Sequence, residues 1–122
     1  MPTHHSDDVS IGPRNAAISN HVMQVISEYT GRGPTRARTH MNGNLVCVVL
    51  EDTLTKGEQS LARDGRLDQV LRMRKAFQGA MRGELVRGIE EITGRRVVAF
   101  FSDNHADPDV ALEAFLLAPS PT

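Results

Sequence analysis

The run LVCVVL, residues Leu45 to Leu50, constrains this chain more than any other stretch. It is far too short to span a bilayer, and its valines favour the pleated conformation over a helical one. Asn42-Gly43-Asn44 stands immediately before it, and an Asn-Gly pair readily supplies the positive φ angles of a tight hairpin turn. The residues before the turn, Thr35 to Met41, alternate loosely between apolar and polar. Two antiparallel strands are therefore predicted, with the second central and buried on both faces. Such a strand needs neighbours and cover, and the chain supplies both.

From Pro13 to Thr30 the pattern is helical, with Ile18, Val22, Val25, Ile26 and Tyr29 on one stripe at spacings of three and four. Pro13 suits a first helical turn, where its missing N–H is not needed. Gly31 is a plausible stop. Thr55-Lys56-Gly57-Glu58 has the form of a capping box and opens a short helix to about Ala62. Gly65 breaks it. A long helix is expected from about Arg66 to Thr93, ending at Gly94. Its stripe is Leu67, Val70, Leu71, Phe77, Met81, Leu85, Ile89 and Ile92, with Arg72, Lys75, Arg82, Glu90 and Glu91 opposite. Gly79, Gly83 and Gly88 are costly inside it, each by about 1 kcal/mol against alanine. Gly79 and Gly83 lie four apart, so they allow close approach either in the core or at a homodimer seam. Arg95 to Ser102 and Val110 to Leu117 read as a final pair of strands.

The fold class is thus α+β in the order α-β-β-α-α-β-β, a four-stranded antiparallel sheet with helices packed on one face. Residues 1–12 are polar and aperiodic and read as a flexible tail, residues 13–118 as a single domain, and 119–122 as a disordered C-terminal tail. His4 and His5 fall in the first of these and read as solvated.

Composition narrows the function. The 122 residues carry a net charge of −1, so no global field steers the chain to DNA or anionic lipid. Four Phe, one Tyr and no Trp leave little for base stacking, and a nucleic-acid partner is not expected. The single cysteine, Cys47, rules out an internal disulfide and a multi-cysteine zinc site; inside LVCVVL it reads as a small core residue. The N-terminus has no basic and apolar signal pattern, and no apolar stretch approaches the ~20 residues of a transmembrane helix. A reducing cytosol is the expected setting.

Two polar foci remain. The link SDNHADPD between the last two strands holds Ser102, Asp103, Asn104, His105, Asp107 and Asp109. Its alternating acids fail the calcium-loop pattern, because glycine and glutamate are missing where that loop needs them. One histidine with scattered aspartates is a weak transition-metal set unless folding brings His40 close. Asp103 fixing the tautomer of His105 would suit acid–base chemistry, yet no activated nucleophile stands beside them. Structural turn, ligand or partner contact, and catalysis all stay open, in that order.

The second focus is GRGPTRAR. Arg32, Arg36 and Arg38 lie in a stretch without an acidic residue from Tyr29 to Leu50. It is neither a Walker loop nor a dinucleotide fingerprint. Its guanidinium groups suit phosphate or carboxylate, so pairing with Asp103 or Asp107, an anionic ligand or partner, and nucleic acid are the alternatives. Arginines and acidic hairpin tip are expected as neighbours in space.

Taken together, YTGRGPTRARTHMNGNLVCVVLEDTLT, VLRMRKAFQGAM and TGRRVVAFFSDNHADPDVALEAFLL resemble the MpsC-like family over roughly Asn15 to Leu117. The chain departs from that pattern at Gly79, Gly83 and Gly88, where stronger helix formers are expected. The resemblance implies a bacterial, non-enzymatic accessory or regulatory protein of a membrane ion (sodium or bicarbonate) transport system. It would be cytoplasmic and peripheral to the inner face of the membrane, homodimeric, and in contact with transporter subunits. No cofactor and no metal are expected. The alternative is a sensor for a small anionic ligand or nucleotide. On either reading the candidate binding residues are Arg32, Arg36, Arg38, Ser102, Asp103, Asn104, His105 and Asp107.

Overall fold

A computed structural model describes the backbone of residues 2–120 and the side chains of residues 12–120. The elements are α1 (Pro2–Thr30), β1 (Arg36–Asn42), β2 (Leu45–Glu51), α2 (Lys56–Arg63), α3 (Leu67–Thr93), β3 (Val97–His105) and β4 (Val110–Leu117). The sheet has the order β1-β2-β4-β3, antiparallel throughout, and α1 and α3 pack on one of its faces. The α+β expectation holds.

The α1 stripe is as expected, with Ile18, Val22, Val25 and Ile26 buried and Tyr29 packed at its end. The helix starts earlier than its apolar periodicity, however, and Pro13 lies inside it instead of in its first turn. Apolar repeats locate a helix only where it touches a core. Once later turns are anchored, each added residue needs no new nucleus, and Pro13 forfeits one hydrogen bond. The backbone from Pro2 thus belongs to α1. Met1, the side chains of 1–11, including His4 and His5, and the last two residues of the 119–122 tail lie outside the described residues.

The hairpin turn is Gly43-Asn44, since Asn42 still pairs with Leu45 in the ladder. Gly43 takes φ +61°, and glycine at the first central position with positive φ marks the primed turns that match strand twist. Strand β2 is central, but it is fully buried on one face only. Val46, Val48 and Leu50 have no exposure, whereas Leu45 is 38% exposed and Cys47 and Val49 are half-buried. Among the described residues, no helix covers that second face.

The capping box at Thr55 is complete: its hydroxyl accepts from the Glu58 N–H, and the Glu58 carboxylate accepts from the Thr55 N–H at 2.8 Å. Gly94 closes α3 in the left-handed region at φ +68°. Core packing does not account for Gly79 and Gly83, because a Cβ at either meets nothing within 4 Å. It does account for Gly88, where a Cβ would collide with the imidazole of His21. That ring donates from Nε2 to the carbonyls of Glu84 (3.0 Å) and Leu85 (3.3 Å), a cross-link between α1 and α3 that requires a bare backbone at residue 88.

Candidate functional site

In antiparallel strands, residues directly opposite each other share a face. The register therefore sorts the side chains of the two polar foci. One row across the uncovered face runs Arg38, Val49, Leu112, Asp103, and the next runs Arg36, Glu51, Val110, His105. Arg36, Arg38, Asp103 and His105 thus share the outer face, the arginines on one edge and the acid and imidazole on the other. Three strand spacings separate them, about 14 Å. Within the chain they are not neighbours, so these arginines do not pair with Asp103. Arg36 instead meets Glu51 at 3.6 Å. His40 stands on the arginine edge, too far from His105 to share a metal with it.

The floor between these edges is apolar. Leu45, Leu112 and Leu116 lie 38–40% exposed, and Phe101 is 60% exposed. Asp103 accepts locally from the Asn104 N–H at 2.9 Å. His105 donates from Nδ1 to the Pro108 carbonyl at 2.9 Å, which orients its ring.

Ser102 and Asn104 point the other way, toward α3. The Ser102 hydroxyl donates to both oxygens of Glu113, at 2.6 Å to Oε2. Glu113 is 3% exposed. Burial pushes its carboxyl up to about 7, helped by the charge of Asp103 and opposed by the Ser102 hydrogen bond. Beside it opens a hollow of about 380 Å³ lined by Leu71, Lys75, Gln78, Ser102, Asp103 and Asn104.

A third group gathers at the end of the sheet. Arg32 donates from Nε to the Asp52 carbonyl at 3.2 Å, and the Asp52 N–H donates to the Asp109 carbonyl at 3.1 Å. The Asp109 carboxylate accepts from the N–H groups of Thr53 and Leu54, both at 3.0 Å, and from the Thr53 hydroxyl at 3.1 Å. Asp109 is thus a clamp of the loop 52–55. Asp107 lines a second hollow of about 440 Å³ with Asp52, Asp109 and Arg63. Arginine focus and acidic tip meet here through Asp52, which takes Arg32 and Thr35 on one side and reaches Asp109 on the other.

Two buried charged groups escaped the sequence reading. Arg74, 4% exposed, donates to both oxygens of Glu58 and to the Thr53 carbonyl. Burial pushes Glu58 up, but the hydrogen bonds from Arg74 and Thr55 outweigh it and hold the carboxyl below its usual range. The signal was present: Arg74 falls on the stripe spacing from Val70 to Phe77. Glu113 likewise alternates with Ala111 and Phe115, on the core side of β4.

Among the described residues, no group of three or more His, Cys, Asp or Glu side chains is placed to hold a metal ion. No helix among them is long and apolar enough to cross a membrane. No curated protein and no solved structure matches the chain. Residues 11–119 do match a family, described as Na+-translocating membrane potential-generating system (MpsC). That stretch takes in the arginine strand, the clamped hairpin and the buried ion pair alike, and the chain belongs to the MpsC family.

Proposed function

We propose that this chain is a non-enzymatic accessory subunit of a Na+-translocating, membrane-potential-generating system, acting as a homodimer from the cytoplasmic side. The family match over residues 11–119 carries the reading. A chain whose described helices do not cross a bilayer joins such a system by contact with subunits that do, and the clamped end of the sheet, with Asp52, Arg63, Asp107 and Asp109 around one hollow, offers a charged surface for contact. Bicarbonate transport linked to the same system is the finer form of this reading.

The test is affinity purification of the tagged chain from detergent-solubilised membranes. The expected result is stoichiometric recovery of a membrane-spanning ion-translocating subunit. Recovery of the tagged chain with no membrane protein overturns the role.

One feature favours a sensor of a small anion as the second reading. Lys75 faces Ser102 and Asn104 across the hollow beside α3, a cation and neutral polar groups that would have to outweigh the Asp103 carboxylate on the same rim. Millimolar bicarbonate, phosphate or nucleotide should then raise the melting temperature, and Lys75→Ala should abolish the rise. An unchanged melting temperature with all of them removes this reading.

A further inference from the structure

The outer face of the sheet combines an apolar floor with edges of opposite charge. Its strands are spaced by about 4.8 Å and rise about 3.4 Å per residue, giving a face on the order of 450 Å² in projection. Side-chain relief takes its accessible area toward the ~800 Å² per partner of a stable complex, and the exposed Leu45, Phe101, Leu112 and Leu116 give it an apolar floor rimmed by charge, the make-up of an interaction surface. Among the described residues, Arg38 has no ion pair and Asp103 accepts only from the neighbouring Asn104 N–H.

We propose that this face is the contact surface between two copies of the chain, packed sheet on sheet about a two-fold axis running along the strands between β2 and β4. The proposal deepens the homodimer named above by giving its surface and symmetry. An axis along the strands exchanges the two edges of the sheet, so β1 of one subunit lies over β3 of the other. Residues of one row then face the same row in reverse. Arg38 meets Asp103 of the partner subunit, Val49 meets Leu112 of the partner subunit, and Leu45 meets Leu116 of the partner subunit. Two such sheets pack about 10 Å apart, rotated by about 30° through their twist, as in a β-sandwich. An axis across the strands would instead set β1 on β1, bringing Arg36 and Arg38 against their own copies. Like charges in an interface exclude that arrangement. The exposed Gly79 and Gly83 on α3 mark another candidate seam, but they bring little apolar area to it.

Sedimentation equilibrium, with far-UV circular dichroism to confirm folding, decides the matter. The wild-type chain should be a dimer at micromolar concentration, and Leu112→Glu or Phe101→Glu a folded monomer. Arg38→Glu and Asp103→Arg should each weaken the dimer roughly tenfold or more, and the double variant should regain most of that loss. Gly79→Ser with Gly83→Ser should leave the dimer intact. A monomeric wild-type chain, a double variant no tighter than the singles, or dimer loss on changing the α3 glycines each overturns the proposal. Purification of the folded Leu112→Glu monomer from solubilised membranes separates the two claims: a retained membrane subunit supports the accessory role whatever the interface, whereas the charge swap judges the interface alone.

Discussion

The two faces of the sheet are built from the same alternating strands, yet they are finished differently. On the inner face Val46, Val48, Leu50 and Phe115 have no exposure, sealed beneath α1 and α3. On the outer face Leu45, Leu112 and Leu116 are comparably apolar and lie open. The charged groups differ in the same way. Inside, Arg74 and Glu58 form a pair in which both members are almost fully buried; outside, Arg36 and Glu51 pair in solvent. Apolar pattern alone does not say which face a subunit buries. The positions of helices decide that, and a face left over is available for another molecule.

The largest test of this contrast is aromatic truncation. Phe115→Ala should cost about 3–5 kcal/mol in urea denaturation, through lost burial and the cavity left behind. Phe101→Ala, measured at high dilution, should cost less than about 1 kcal/mol. Equal losses would erase the distinction between the faces.

Next come the ion pairs. Arg74→Met strands the Glu58 carboxylate in the interior and should cost about 3–5 kcal/mol, much of it recovered by adding Glu58→Leu. Arg36→Met, on the outer face, should fall within about 1 kcal/mol of wild type. The same denaturation series reads both.

The pH dependence sharpens the contrast further. Glu113 in the folded chain keeps its proton up to about 7, against 4.5 for the ordinary carboxyl. Between those values the native state binds more protons than the unfolded one, so stability falls as pH rises. The contribution is whole below about pH 4.5 and gone above about pH 7, on the order of 3 kcal/mol. Glu113→Gln should flatten that slope when denaturation midpoints are compared at the two ends of the window. A slope that survives the substitution assigns the effect elsewhere.

The smallest effects belong to the α3 glycines. Gly88→Ala should destabilise by about 1–3 kcal/mol, because the new methyl displaces the His21 ring from its two carbonyls. Gly79→Ala and Gly83→Ala, with open space around them, should each stabilise by about 0.5–1 kcal/mol in the same assay. Opposite signs within one helix would show that only the position against α1 needs glycine.

Much of the fold was readable in the residues. The periods of 3.6 and 2, the Asn-Gly turn region and the capping box at Thr55 located the elements, because each is a local signal. What stayed hidden was strand order, which no local pattern carries. Without β4 known to lie between β2 and β3, the arginines of β1 and the acids of the last hairpin looked like partners, when they are opposite edges of one face. The divergence of Ser102 and Asn104 from Asp103 and His105 was legible from alternation alone. Arg74 and Glu113 were legible too, as charged residues on apolar periods. Their partners were not, since Glu58 and Ser102 arrive only through tertiary packing.

Asp52 has one further consequence. It adopts φ +58°, unusual for a residue with a side chain, while its carbonyl takes the Arg32 guanidinium, its carboxylate the Thr35 hydroxyl, and its amide reaches Asp109. Two segments far apart in the chain are riveted at this single joint. A contact made at Arg32 is therefore linked, through Asp52, to the tip of the last hairpin.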